Sequence, residues 1–151
     1  MENIIVTETD IEKEFTDRDL KRKCFMYARE NFQGRLFKNA DTGRGILVSR
    51  DGLDEWFNKT KSRAQALSIK KLDELLENGR LIKQSGDNYK RQYVESFAYF
   101  SASCTVNGTE YSAVIAVKQT KGNPDKFYHY YLQSKKIEPH SGFGTSSENP
   151  I

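Results

Sequence analysis

Asn107-Gly108 sits between two runs of alternating residues, and no other feature constrains the fold of this chain as much. Both residues tolerate positive φ, which a two-residue hairpin turn requires. In 93–106, Val94, Ala98, Phe100, Ala102, Cys104 and Val106 share one parity, with Ser96 interrupting. Tyr93, Glu95, Phe97, Tyr99, Ser101, Ser103 and Thr105 hold the other. In 109–118, Tyr111, Ala113, Ile115 and Val117 repeat the apolar parity. Successive side chains of a strand point to opposite faces, so the two runs are antiparallel partners with one apolar face. The loop Lys121-Gly-Asn-Pro-Asp125 then leads to a final strand near 126–134.

The first half reads differently. Thr16 followed by Asp19 is a helix-start pattern, and Leu20, Cys24, Tyr27 and Ala28 recur at helical spacing, predicting a helix over 17–31 that ends by Gly34. Arg35–Lys38 and Gly45–Ser49 are two short strands around Asn39-Ala-Asp-Thr-Gly43. Residues 53–58 suit a short helix or a turn, with Trp56 and Phe57 as core anchors. A second helix is expected from Ser62 to Asn78, with Ser62 as N-cap and Gly79 as its stop. Residues 83–92 read as a polar loop. The expected architecture is α+β, an antiparallel β-sheet of about four to five strands packed against two main helices. Residues 1–14 are a tail or an edge strand, 15–138 one α+β domain, and 139–151, from just before His140, a disordered tail or linker.

Composition narrows the function classes. The chain has 151 residues, 18 of them Phe, Tyr or Trp, which separates it from charge-swollen disordered chains. Two cysteines and two histidines cannot make a disulfide scaffold and weaken any zinc case, so no metal and no cofactor are expected. No apolar run approaches a membrane span of about 20 residues, and the first residues lack the pattern of a signal peptide. The expected location is the cytoplasm of a host cell. Net charge is +3, but residues 59–91 carry nine Lys/Arg against four Asp/Glu, a surplus of +5. Such a segment either steers phosphate-rich partners or is a solvated helix face.

Two groups of residues can carry chemistry. His129, in Lys126-Phe-Tyr-His-Tyr-Tyr-Leu-Gln133, can exchange a proton near neutral pH, or it is a structural imidazole among tyrosines. Strict alternation puts Phe127, His129 and Tyr131 on one face, and Tyr128, Tyr130 and Leu132 on the other. Tyr93, Phe97 and Tyr99 could stack unpaired bases, or they form a second apolar layer under the first helix.

The order of these pieces resembles a known family. The helix ending Tyr27-Ala-Arg-Glu-Asn-Phe-Gln-Gly34, then Asn39-Ala-Asp-Thr-Gly43, Ile46-Leu-Val-Ser-Arg-Asp-Gly-Leu53, the helix to Gly79, the long hairpin through Val106-Asn-Gly-Thr-Glu-Tyr111 and Phe127-Tyr-His-Tyr resemble phage and prophage polyvalent-protein domains. Those domains are assigned to the barnase–EndoU–colicin–RelE-like nuclease fold, and the similarity spans roughly 15–138. It implies metal-independent RNA cleavage in active members. His129 would be acid or base, Tyr131 a hydrogen-bond donor, and Lys59, Lys61 and Arg63 the phosphate-holding cations. Related domains often carry a histidine just after the Gly52-Leu53 step. Here Asp54 and Glu55 stand there, and Glu55 could serve as the base.

Three functions follow as expectations. The first is a metal-independent endoribonuclease of phage or mobile-element origin, toxin- or effector-like, with RNA as substrate. The second is a non-catalytic RNA- or protein-binding module of the same fold. The third is an inhibitor or immunity-type protein whose acidic N-terminal region (Glu8, Asp10, Glu12, Glu14, Asp17, Asp19) masks a basic cognate partner.

Overall fold

The computed structural model describes residues 3–85 and 95–135. Its elements, in chain order, are β1 (Asn3–Val6), α1 (Asp10–Lys13), α2 (Asp17–Phe32), β2 (Leu36–Lys38), β3 (Gly45–Leu47), α3 (Arg50–Lys59) and α4 (Arg63–Ser68). A 3-10 turn over Ile69–Lys71 follows, then α5 (Leu72–Asn78), β4 (Arg80–Ser85), β5 (Glu95–Val106), β6 (Thr109–Thr120) and β7 (Asp125–Ser134). Among the described residues, no helix is long and apolar enough to cross a membrane.

The α+β class is as expected, but the sheet is not antiparallel with four to five strands. It has seven strands and is mixed, in the order β1-β5-β6-β7-β3-β2, with β4 also on β5. The two parallel pairings, β1 on β5 and β3 on β7, are the reason. Each joins a short strand from the helical half to a long strand from the β half, and neither strand carries its partner's address in its own sequence. β1 takes the C-terminal half of β5, where Ile4 and Val6 lie opposite Cys104 and Val106. β4 takes the N-terminal half, so residues 80–85 form a strand where a polar loop was expected from 83 onward. Residues 86–92 of that loop lie outside the described residues.

The hairpin β5–β6 turns on Asn107 and Gly108, with φ of 50° and 83°, the left-handed pair such a turn requires. Its register runs unbroken from Val106↔Thr109 to Glu95↔Thr120. One face carries Ala98, Phe100, Ala102, Cys104, Ala113, Ile115 and Val117, all buried. The same core cluster takes in Leu53 and Trp56 of α3, Leu67, Leu72, Leu75 and Leu76 of the later helices, and Leu20, Cys24 and Ala28 of α2, which lies on those helices. Tyr27, expected in the α2 stripe, is 40% exposed at its edge.

The expected second helix is broken in two. Ser68 ends α4 by donating its hydroxyl to the Gln65 carbonyl at 2.8 Å, a local bond that competes with helix propagation, and the chain tightens into the 3-10 turn. The short helix or turn expected at 53–58 is a helix, and it runs longer, over ten residues, capped by Ser49, whose hydroxyl accepts from the Gly52 amide. Gly52 is required there. A Cβ on it would stand 2.1 Å from the carbonyl oxygen of Phe127, so α3 lies against β7 only because residue 52 has no side chain.

Asn39 explains the turn 39–43. Buried, it donates from Nδ2 to the carbonyls of Leu76 and Gly79 at 2.8 Å each, closing the end of α5. Its Oδ1 accepts from the Thr42 amide. Asp125, buried at the start of β7, accepts a two-pronged bond from Arg44 at 2.8 Å per prong, locking the β2–β3 turn to β7.

Candidate functional site

β7 carries a bulge. Ala116 pairs with His129 and the adjacent Val117 with Phe127, leaving Tyr128 as the extra residue. A bulge shifts the side-chain alternation by one. Strict alternation, with Phe127 beside His129 and Tyr131, therefore fails. Phe127 and Tyr130 are both buried in the core, while Tyr128, His129 and Tyr131 lie on the opposite face of the sheet.

That face also presents Phe97 and Tyr99 from β5. Tyr99, Ala116 and His129 are successive register partners across β5, β6 and β7. Phe97 and Tyr99 are not under the first helix. α2 packs on the other helices, and the two rings line a cavity of about 210 Å³ with Tyr128, His129 and Tyr131. Val114 and Ala116 form its floor. The Phe97 and Tyr99 rings stack at 6.3 Å and 27°, and Tyr128 meets Phe97 edge-on at 5.4 Å. Tyr93, the third stacking candidate, lies outside the described residues.

Cations border the cavity. Lys59, at the end of α3, pairs with Glu55 one turn earlier at 2.8 Å and holds its ammonium 5.1 Å from the centre of the Tyr128 ring. Lys118 holds its own at 5.3 Å from the same ring and has no carboxylate partner among the described residues. Lys118 faces Phe97 on one side and Lys126 on the other. Arg80 and Lys83 of β4 stand opposite Ser101 and Tyr99, hence on this same face.

Glu55 and His129 sit in each other's field. The bond from Lys59 lowers the Glu55 carboxyl below its usual range, with help from the Tyr128 hydroxyl, which donates to it at 3.3 Å, and from His129. Burial pushes His129 down to about 4; Lys59 adds to this and Glu55 opposes it. The imidazole is therefore neutral at pH 7. Its Nδ1 is buried with no hydrogen-bond partner.

The expected phosphate set divides. Lys59 borders the cavity, whereas Lys61 is exposed, within 3.4 Å of the Asn58 carbonyl, and its charge adds to the burial that lowers the pKa of the Lys21 ammonium. Arg63 is committed elsewhere. It binds Glu8, Asp17 and the carbonyls of Glu12 and Phe15, tying the N-terminal segment to α4. Cys24 and Cys104 are buried, and burial raises both thiols to about 11, so they are inert near neutral pH. Among the described residues no three His, Cys, Asp or Glu side chains gather as a metal-donor set.

Sequence reasoning missed Tyr128, Lys118, Lys126, Arg80 and Lys83. The hairpin register could have supplied Lys118, because a two-residue turn at 107–108 fixes its pairing with Phe97. That Tyr128 shares a face with His129 and Tyr131 depends on the bulge, and the sequence of β7 gives no sign of it.

These features define an α+β domain whose helices cover one face of a mixed sheet and leave an aromatic, lysine-bordered cavity on the other. A family model described as large polyvalent protein-associated domain 3 matches residues 16–131, and the chain belongs to that family. No curated protein and no solved structure matches the chain.

Proposed function

We propose that this domain binds a single-stranded polynucleotide across the open face of its sheet and does not cut it at neutral pH. The observation that carries this reading is the row Phe97–Lys118–Lys126, which sets two lysines face to face beside the aromatic cluster. Like charges directly opposite on a sheet are destabilising. A polyanion lying between them turns that cost into attraction. Exposed rings next to backbone-neutralising cations are what unpaired strands use, because base–aromatic stacking contributes about 1–3 kcal/mol per base. RNA is the form expected from the sequence. A duplex buries its base faces and offers nothing to the rings.

Cleavage is the second reading, favoured by the electrostatic coupling of Glu55 and His129 and by the resemblance to the barnase–EndoU–colicin–RelE-like fold. In it Glu55 would take the 2′-hydroxyl proton and His129 would protonate the leaving oxygen. The second step needs an imidazolium, and an imidazole with a pKa of about 4 holds no such proton at pH 7. That difference places binding ahead of cleavage. The masking role is weaker still, because Glu8, Glu12 and Asp17 are already paired with Arg63 and Lys70.

The test is fluorescence anisotropy with a labelled single strand of about ten nucleotides, titrated over a range of salt. The expected result is saturable binding, stronger for the strand than for the matching duplex. Log affinity should fall linearly with log salt, and each of Lys118→Gln and Lys126→Gln should reduce the slope by about 0.7. Equal affinity for strand and duplex, or a slope that neither substitution changes, would remove this reading.

A further inference from the structure

We infer that the cavity between Phe97, Tyr99, Tyr128 and Tyr131 seats one unpaired nucleobase, so that the protein requires a base there as well as a phosphate backbone. This rests on the polynucleotide reading and adds a defined subsite to it.

Size is compatible with a base. The cavity, about 210 Å³ and open to solvent on one side, has room for one planar ring system against its walls.

Shape and chemistry agree with a base. The walls are flat rings and the floor is the small pair Val114 and Ala116. His129 is the heterocycle in the wall, uncharged at neutral pH, with its Nδ1 buried and without a hydrogen-bond partner. An uncharged imidazole beside an aromatic slot lets a flat ring dock without the cost of burying a cation. The charge is instead at the border. Lys59 and Lys118 both hold their ammonium groups beside the Tyr128 ring, at the border where the phosphates flanking a seated base would run.

Ala116 provides the test, because it occupies the floor between Tyr99 and His129 and takes no part in the core cluster. Ala116→Phe fills the cavity and leaves every lysine in place. Anisotropy is measured on the full chain with three labelled strands: oligo-uridylate, oligo-thymidylate, and a strand of the same length built from abasic units. Wild type should bind the base-bearing strands at least tenfold tighter than the abasic one. Ala116→Phe should reduce them to the abasic level and leave abasic binding unchanged. The ratio of uridylate to thymidylate tells RNA from DNA as the source of the base. Thermal unfolding confirms that the variant is folded. If it is not, Tyr131→Ala, at a position 37% exposed, should lower base-bearing affinity without altering abasic affinity.

Wild type binding all three strands equally, or Ala116→Phe binding like wild type, overturns the base subsite while leaving the polynucleotide reading intact. Failure of wild type to bind any strand overturns both, and an aromatic side chain of a protein partner then becomes the occupant to test.

Discussion

Phe127 and Tyr130 are three residues apart on one strand, and both point into the core. Regular alternation would send them to opposite faces; the bulge at Tyr128 brings them to the same one. The same shift carries His129 and Tyr131 to the open face, beside Tyr128. Core and candidate site are thus two consequences of one irregularity. The buried partner is held firmly. The Tyr130 hydroxyl lies 2.5 Å from that of Ser68, and its carbonyl accepts from Gln65 Nε2 at 2.6 Å, which satisfies the edge of β7 beyond the end of β3.

Tyr130→Phe should therefore lower stability by about 1–2 kcal/mol, since it leaves Ser68 short of a buried partner. Polynucleotide affinity should not change. Urea denaturation gives the first number and anisotropy the second.

Gly52→Ala is expected to cost about 1–3 kcal/mol, because the new methyl group must displace backbone rather than a flexible side chain. Moving α3 away from β7 would also move Glu55 and Lys59 from the cavity border. Chemical denaturation should show the loss of stability, and strand affinity should fall with it.

Asn39→Ala removes both donors that close α5 and the acceptor that shapes the 39–43 turn. The expected loss is about 2–4 kcal/mol, from two buried carbonyls left unpaired. Asn39→Asp should do no better, because a carboxylate has no hydrogens to donate.

The pH dependence follows from His129. Its pKa is about 4 in the folded chain against an ordinary value of 6.5. Between those values the unfolded chain binds the proton and the folded chain does not. Stability is therefore full above about pH 6.5 and declines as pH falls toward 4. His129→Gln should remove this part of the decline. Thermal midpoints of both proteins at pH 7 and pH 5 should differ by less in the variant.

Local chemistry was legible in the sequence wherever one segment contained its own instructions. Asn107-Gly108 specified the hairpin and its register, Thr16 and Ser62 marked real helix starts, and the apolar parity of β5 and β6 named their core faces. Long-range pairing was not legible. Ile4 and Val6 carry no sign that β5 is their partner, and the second half of β4, from Lys83 on, is polar enough to read as loop. Of the candidate site, Phe97, Tyr99, Glu55, Lys59, His129 and Tyr131 come together around one cavity or its border. Arg63 does not. Its position before a helix resembled a phosphate contact, but the acids that engage it arrive from residues 8–17, about fifty positions away.

The most direct measurement combines binding and integrity in one sample. Wild type is mixed with a labelled single-stranded RNA at pH 7 without divalent ions. Half the sample runs on a native gel and half on a denaturing gel. The account predicts a shifted band and a full-length strand. An unshifted strand would contradict it, and so would a shortened strand left intact by Glu55→Gln or His129→Gln, which would make those residues catalytic.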